Sequence, residues 1–356
     1  MTPASDEGPL PPAGEPEPVE DPGSIADTEP ELRSGKEPEL AAPRLTTFSL
    51  EGRVVPGIYL IGWVASLLGA GLLFISFQAN VPGTGQWVFL VAMVLLGIGL
   101  TFAAGSQAIE RSRRPDLAYR GPSPVLAFLV VVVLTFVALI VVLAPLSALG
   151  LDVRSPAATT LNLVITMILY VTVIRLLVVG PGALTWREMG VVRPDSGALR
   201  DLLAGALLAI PVVAVTLVLG GLLSRFLEPT PSALPDATDA AGIVANLVSA
   251  AILAPIGEEL FFRGFTTTAW ARTSGARAAI VRGALFFAFA HVLTLFDASF
   301  GTGVQRALFS FVALLPVGLA LGWVFLSRRS LYAAIGLHSA FNAIQVLALL
   351  AVTSAS

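Results

Sequence analysis

The chain has no cysteine, and its 356 residues include only two histidines and one lysine. A sequence without cysteine has no disulfide, no thiolate metal ligand and no thiol nucleophile. Charge is also scarce, since 13% of the residues are charged, compared with about a quarter in soluble proteins. Hydrophobic residues make up 55% of the chain, and the mean hydropathy is +0.84. We therefore expect an integral membrane protein whose surroundings are the lipid bilayer and whose partners include no nucleic acid.

The first 54 residues differ in composition from the rest. They contain ten prolines, and residues 1–53 carry 12 of the 24 acids but four of the 21 bases. A segment with so few large apolar side chains cannot bury enough surface to offset its loss of conformational entropy. We expect residues 1–54 to form a disordered, acidic, proline-rich cytoplasmic tail that acts as a solvated spacer or binds another protein.

Long apolar runs occupy the remainder of the chain. A membrane-spanning helix needs about 20 apolar residues, so these runs predict an all-α, polytopic membrane helical bundle with eight or nine transmembrane helices. We divide the bundle into N-terminal transmembrane helices over 55–200 and a second group of helices over 201–352. The predicted spans are 57–80, 86–108, 123–149, 158–180, 202–224, 242–264, 281–296, 304–326 and 331–352, of which 281–296 is the shortest.

Arginine is distributed unevenly between the loops that alternate along these spans. One set of loops carries twelve arginines, whereas the other set carries Arg154, Arg225 and Arg306. Since cytoplasmic loops carry the excess of basic residues, we expect a multi-pass protein of the cell membrane with a cytoplasmic N-terminus. The twelve are Arg111, Arg113, Arg114, Arg120, Arg187, Arg193, Arg200, Arg272, Arg277, Arg282, Arg328 and Arg329.

Ionisable side chains inside the predicted spans are concentrated in the last third of the chain. They are Glu258, Glu259 and Arg263 in one span, His291 in the next and His338 in the last. Each histidine follows a loop arginine at a distance of about 14 Å along its helix. Ionisable groups inside a membrane are costly and indicate a functional site. Their positions predict that the three spans bring these groups together at one depth.

Helical spacing assigns these groups to faces. Residues four apart share one face of an α-helix, so Glu259 can pair with Arg263, and His338 shares a face with Asn342. Glu258 is rotated away from Glu259 and can point into a cavity. Adjacent carboxylates repel each other, so one of them accepts a proton more readily than an isolated carboxylate, which suits a general base.

Hydrolysis of an amide bond is one reaction that these groups could perform. Glu258 and His291 would activate a water molecule, while His338 and Asn342 would donate hydrogen bonds to the developing oxyanion. Alternatively, Glu258, His291 and His338 would ligate a divalent metal such as zinc, although the chain has no His-Glu-x-x-His motif. Both interpretations use the same residues, so both stay open at this point.

Three short segments also resemble a known family. They are Pro255–Phe265 with its Glu258-Glu259-x-x-x-Arg263 element, Leu285–His291 with its Phe287-x-x-x-His291 element, and Ala334–Asn342 with its His338-x-x-x-Asn342 element. In order and approximate spacing they are similar to the motifs of the CAAX prenyl endopeptidase and bacteriocin-processing (CPBP, or Abi) family of intramembrane proteases. The resemblance covers about residues 242–350.

The resemblance implies a catalytic cavity within 201–352 that opens toward the cytosol and the bilayer. It implies catalytic roles for Glu258, His291, His338 and Asn342, with Glu259 and Arg263 in support. The substrate would be a membrane-associated peptide or a prenylated CAAX-type protein, and the composition favours the bacterial branch of the family. The mechanism would be either that of a metalloprotease or a glutamate type without a metal.

Other functions are compatible with the same residues. A non-catalytic membrane scaffold or bacteriocin-immunity factor could keep the geometry of the motifs without cleaving anything. A proton-coupled transporter could use the Glu/His cluster as a relay, although the chain shows no internal repeat. Ligation of haem by His291 and His338 would leave the acid pair without a role.

Overall fold

The computed structural model describes residues 48–50, 53–55, 57–78, 84–237, 239–293, 295 and 300–355. The predicted tail over 1–54 therefore lies almost wholly outside the described residues. The described residues begin with two short antiparallel strands, β1 (Phe48–Leu50) and β2 (Arg53–Val55), in which Ser49 pairs with Val54.

The regular structure after the strands is helical throughout the described part of the chain. The α-helices are α1 (Gly57–Gln78), α2 (Thr84–Ser112), α3 (Pro124–Ala148), α4 (Pro156–Ile174), α5 (Ser196–Leu223), α6 (Ala240–Val248), α7 (Ala254–Glu259), α8 (Thr268–Ser274), α9 (Ala276–Val292), α10 (Phe300–Arg328) and α11 (Leu331–Ala355). Three π-helical segments, Arg175–Val179, Ser249–Leu253 and Leu260–Thr267, continue or join these helices.

Eight helical stretches in the described ranges are long and apolar enough to cross a membrane, so the predicted polytopic helical bundle is confirmed. The predicted span 281–296 is not among them. It corresponds to α9, whose 17 residues extend about 26 Å, less than the hydrocarbon thickness of about 30 Å. The predicted span 242–264 lies within a longer helical stretch, Ala240–Ser274, of 35 residues.

Two of the helices that frame the site begin at an aspartate. Asp195 accepts a hydrogen bond from the backbone N–H of Ala198 at the start of α5, and Asp239 accepts one from Gly242 at the start of α6, each at 2.8 Å. Such N-caps satisfy backbone donors that have no partner within the helix. They set the points at which α5 and α6 begin.

Two glycines set the distance between α5 and α11, the helix that carries His338. A Cβ atom built on Gly205 would overlap the carbonyl oxygen of Ala333, and one built on Gly336 would overlap that of Leu202. Small residues allow membrane helices to approach this closely. The position of His338 relative to α5 thus depends on the absence of side chains at Gly205 and Gly336.

Replacing Gly336 by alanine is expected to lower both thermal stability and activity. The added methyl group meets rigid backbone, and overpacking of this kind costs about 1–3 kcal/mol. The unfolding midpoint in detergent measures the effect. Gly221→Ala is the control because a Cβ at Gly221 in α5 meets no atom within 4 Å. Equal midpoints for the two variants would contradict the close approach of α5 and α11.

Candidate active site

The acid pair lies at the end of α7, between two π segments. All eight residues of the following segment, Leu260–Thr267, are buried. Phe261 packs edge-to-face against Phe262 and Phe265, and Phe262 packs in the same way against Phe287 of α9. π-Helical turns are rare and frequently lie at functional sites. Aromatic packing therefore holds the irregular turn that carries Arg263.

Glu259 links three helical elements through buried contacts. Its side chain is fully buried, and the side chain of Arg263 is 2% exposed. Arg263 Nη1 donates to Glu259 Oε1 at 3.0 Å, and His338 Nδ1 lies 2.7 Å from the same oxygen. Arg263 Nη2 also donates to the carbonyl of Gly318 in α10 at 3.5 Å. The structure thus pairs Glu259 with Arg263, as the spacing of four residues predicts, and adds His338 to the pair.

Glu258 faces both histidines. Its Oε2 atom lies 3.7 Å from His291 Nε2 and 4.0 Å from His338 Nε2. These distances are too long for direct hydrogen bonds. The oxygen is buried and has no hydrogen-bond partner among the described residues, although the side chain as a whole is 21% exposed. Three polar atoms from α7, α9 and α11 therefore converge on one point, as the sequence predicts.

The partners of the other ring nitrogens determine which nitrogen carries the proton. His291 Nδ1 lies 2.9 Å from the carbonyl oxygen of Phe287, which can only accept. His338 Nδ1 faces the carboxylate of Glu259. Each Nδ1 is therefore the donor, and in a neutral imidazole the Nε2 atom is then an acceptor. Because both Nε2 atoms and Glu258 Oε2 are acceptors, a group bound between them must donate hydrogen bonds.

The proposed metal ligands, Glu258, His291 and His338, are of a type that suits zinc. Within the described ranges, however, no group of three or more His, Cys, Asp or Glu side chains has the arrangement of a metal site. The metal-dependent alternative stays a prediction, and we derive no step through a metal.

Asn342, one helical turn after His338 in α11, bonds to the backbone of the irregular segment Ser249–Leu253. Its Nδ2 atom donates to the carbonyl of Ala250 at 2.8 Å. Hydrogen bonds in a π-helix join residues five apart, and the residue five after Ala250 is Pro255, which has no backbone N–H. The asparagine therefore satisfies a carbonyl that the backbone leaves without a donor, and it ties α11 to the segment Ser249–Leu253.

The loop over 184–195 packs against the same π segment. The backbone N–H of Thr185 and the guanidinium of Arg272 donate to the carboxylate of Glu188, and these bonds hold the pKa of Glu188 below its usual range. The neighbouring Met189 is fully buried, and its carbonyl oxygen lies beside Gly264. In the sequence, this turn is indicated by the Thr185-x-x-Glu188 spacing, which is typical of a capping box.

Comparison with known protein families gives a match. Residues 240–344 match a family model described as Type II CAAX prenyl endopeptidase Rce1-like. No curated protein and no solved structure matches the chain. The matched range contains all three motifs, so the resemblance predicted from them is confirmed. Over residues 240–344 this chain is therefore similar to the Rce1-like, type II CAAX prenyl endopeptidases.

Proposed function

We propose that this protein is an intramembrane endopeptidase that hydrolyses a peptide bond in a prenylated, CAAX-type substrate at the membrane. The observation that carries the proposal is the convergence of Glu258 Oε2, His291 Nε2 and His338 Nε2 within an apolar helical bundle. The Rce1-like domain over 240–344 supports the same class of reaction.

In the proposed mechanism Glu258 is the general base, assisted by His291. A water molecule between them gives a proton to this pair, and its oxygen attacks the carbonyl carbon of the scissile bond. The carbonyl double bond becomes an oxyanion, which then re-forms the double bond as the amine leaves with the proton. General bases contribute about 10²–10⁴-fold to such rates.

His338 is proposed to stabilise the oxyanion. Its Nδ1 atom is held by the buried carboxylate of Glu259. In the neutral ring its Nε2 atom accepts, and once that atom carries a proton it can donate a hydrogen bond to the oxyanion. Asn342 is proposed as the second donor, because a side-chain amide has two N–H groups and the bond to Ala250 uses one of them. Glu259 and Arg263 then support His338 without touching the substrate.

We further propose that the arginine-rich loops and the N-terminus lie in the cytoplasm. Two ion pairs support the placement of these loops on one face of the helical bundle, since each ion pair joins two segments of the arginine-rich set. Arg272 pairs with Glu188 of the loop before α5, and Arg328 pairs with Asp201 of α5 at 2.9 Å. This orientation places the site in the cytoplasmic half of the membrane, where a lipidated C-terminus would enter.

The test uses the purified full-length protein in liposomes with two peptides of the same sequence, one of them prenylated on a cysteine near its C-terminus. We expect mass spectrometry to show loss of the C-terminal residues of the prenylated peptide and slower cleavage of the unmodified one. Cleavage of neither peptide, with the protein shown to be folded by its unfolding midpoint, would contradict the proposed function.

A further inference from the structure

Phe287 in α9 contacts three of the six proposed site residues and is itself 1% exposed. The guanidinium carbon of Arg263 lies 4.2 Å from the centre of its ring. The ring centres of His291 and His338 lie 4.4 Å and 5.7 Å away, and His338 is in an edge-to-face arrangement. The ring therefore stands between a cation and two imidazoles.

The backbone of Phe287 has a separate effect. Its carbonyl oxygen accepts the hydrogen bond from His291 Nδ1 at 2.9 Å, one helical turn along α9. This bond leaves Nε2 of His291 directed at Glu258. A substitution of the side chain keeps the carbonyl, so the role of the ring can be tested apart from that of the backbone.

The ring matters because Arg263 has two carboxylates within reach. The second is Glu258, five residues before Arg263, whose charge also acts on the guanidinium. A guanidinium paired with Glu258 would hold that carboxylate in its charged form and oppose the uptake of a proton from water. In the structure Arg263 pairs with Glu259 instead and lies over the ring of Phe287.

We propose that Phe287 is a positioning residue whose ring keeps Arg263 on Glu259 and holds the imidazoles of His291 and His338 toward Glu258. A guanidinium over an aromatic face is attracted to it, and the ring edges limit rotation of both imidazoles. The kinetic part of this inference rests on the proposed peptidase function, whereas the structural part does not.

The chain offers a matched control in the adjacent residue. Phe286 is also buried in α9, but its ring packs against Phe128, Phe262 and Trp270. We expect Phe287→Leu to lower kcat by about 10–100-fold with little change in KM, because small displacements of catalytic groups have effects of this size. Phe286→Leu should keep kcat near that of the wild type, and Phe287→Tyr, which keeps the aromatic face, should recover most of it.

A spectroscopic measurement tests the same inference without activity. Only two histidines occur in the chain, so protein labelled with ¹⁵N-histidine gives two sets of imidazole signals. We expect Phe287→Leu to change the shifts or the tautomers of both, and Phe286→Leu to leave them as in the wild type. Equal effects of the two variants on the imidazole signals would overturn the inference, as would equal losses of kcat. If the wild type cleaves no peptide, the proposed function fails while the imidazole signals still decide the role of Phe287.

Discussion

Glu258→Gln is expected to leave a folded protein that binds its substrate and does not cleave it. Glutamine has nearly the shape of glutamate but cannot take a proton from water. The loss of a general base lowers the rate by about 10²–10⁴-fold, so we expect very little cleavage to remain. The measurement is kcat for the prenylated peptide in liposomes, together with the unfolding midpoint of each protein.

Glu228→Gln is the control for this variant. Glu228 is exposed and follows α5 at a distance in sequence from all three motifs, so the same chemical change there should leave kcat unaltered. Cleavage by Glu258→Gln at a rate similar to that of Glu228→Gln would remove Glu258 from the mechanism. It would also favour the non-catalytic scaffold among the alternatives.

Arg263→Met is expected to cause a large loss of stability. The change leaves the carboxylate of Glu259 buried with His338 as its remaining described partner. Removal of one member of a buried ion pair costs about 3–5 kcal/mol, because the other charge stays in an apolar environment. Arg114→Met is the comparison, since Arg114 and Asp116 form an ion pair of similar length that is exposed. That variant should unfold at the wild-type temperature.

The double variant Arg263→Met, Glu259→Leu separates stability from function. Replacing both members of a buried pair by apolar residues is often neutral for stability, so the unfolding midpoint should return toward that of the wild type. Activity should stay low, because His338 Nδ1 then has no carboxylate to hold it. A double variant with full activity would show that the pair does not orient His338. A single variant as stable as Arg114→Met would show that the pair does not stabilise the bundle.

Much of the site follows from the sequence because local spacing and membrane depth decide it. The pair formed by Glu259 and Arg263 reflects their spacing of four residues, and the common depth of His291 and His338 reflects their equal distances from loop arginines. These are properties of single helices placed in a bilayer. They do not depend on the details of packing between the helices.

The other features of the site depend on backbone hydrogen bonds that do not occur in a regular α-helix and so cannot be predicted from helical spacing. Asn342 shares a face with His338, yet its partner is the carbonyl of Ala250, which is left without a donor by Pro255. Pro255 was the signal for this irregular turn, but proline alone does not distinguish a kink from a π segment. The spacing of Phe287 and His291 marks the phenylalanine, but the role proposed for its ring does not follow from spacing, because a buried aromatic residue is most often simply part of the core.

The π segments Ser249–Leu253 and Leu260–Thr267 change how positions on this helical stretch should be mapped experimentally. A helical wheel drawn with α-helical periodicity loses phase at each wide turn, so residues before and after α7 are assigned to the wrong sides. Scanning mutagenesis or crosslinking planned on such a wheel would take lipid-facing positions for interior ones. The chain has no native cysteine, so single introduced cysteines along Ala240–Ser274 can measure the true phase directly, residue by residue, in the membrane.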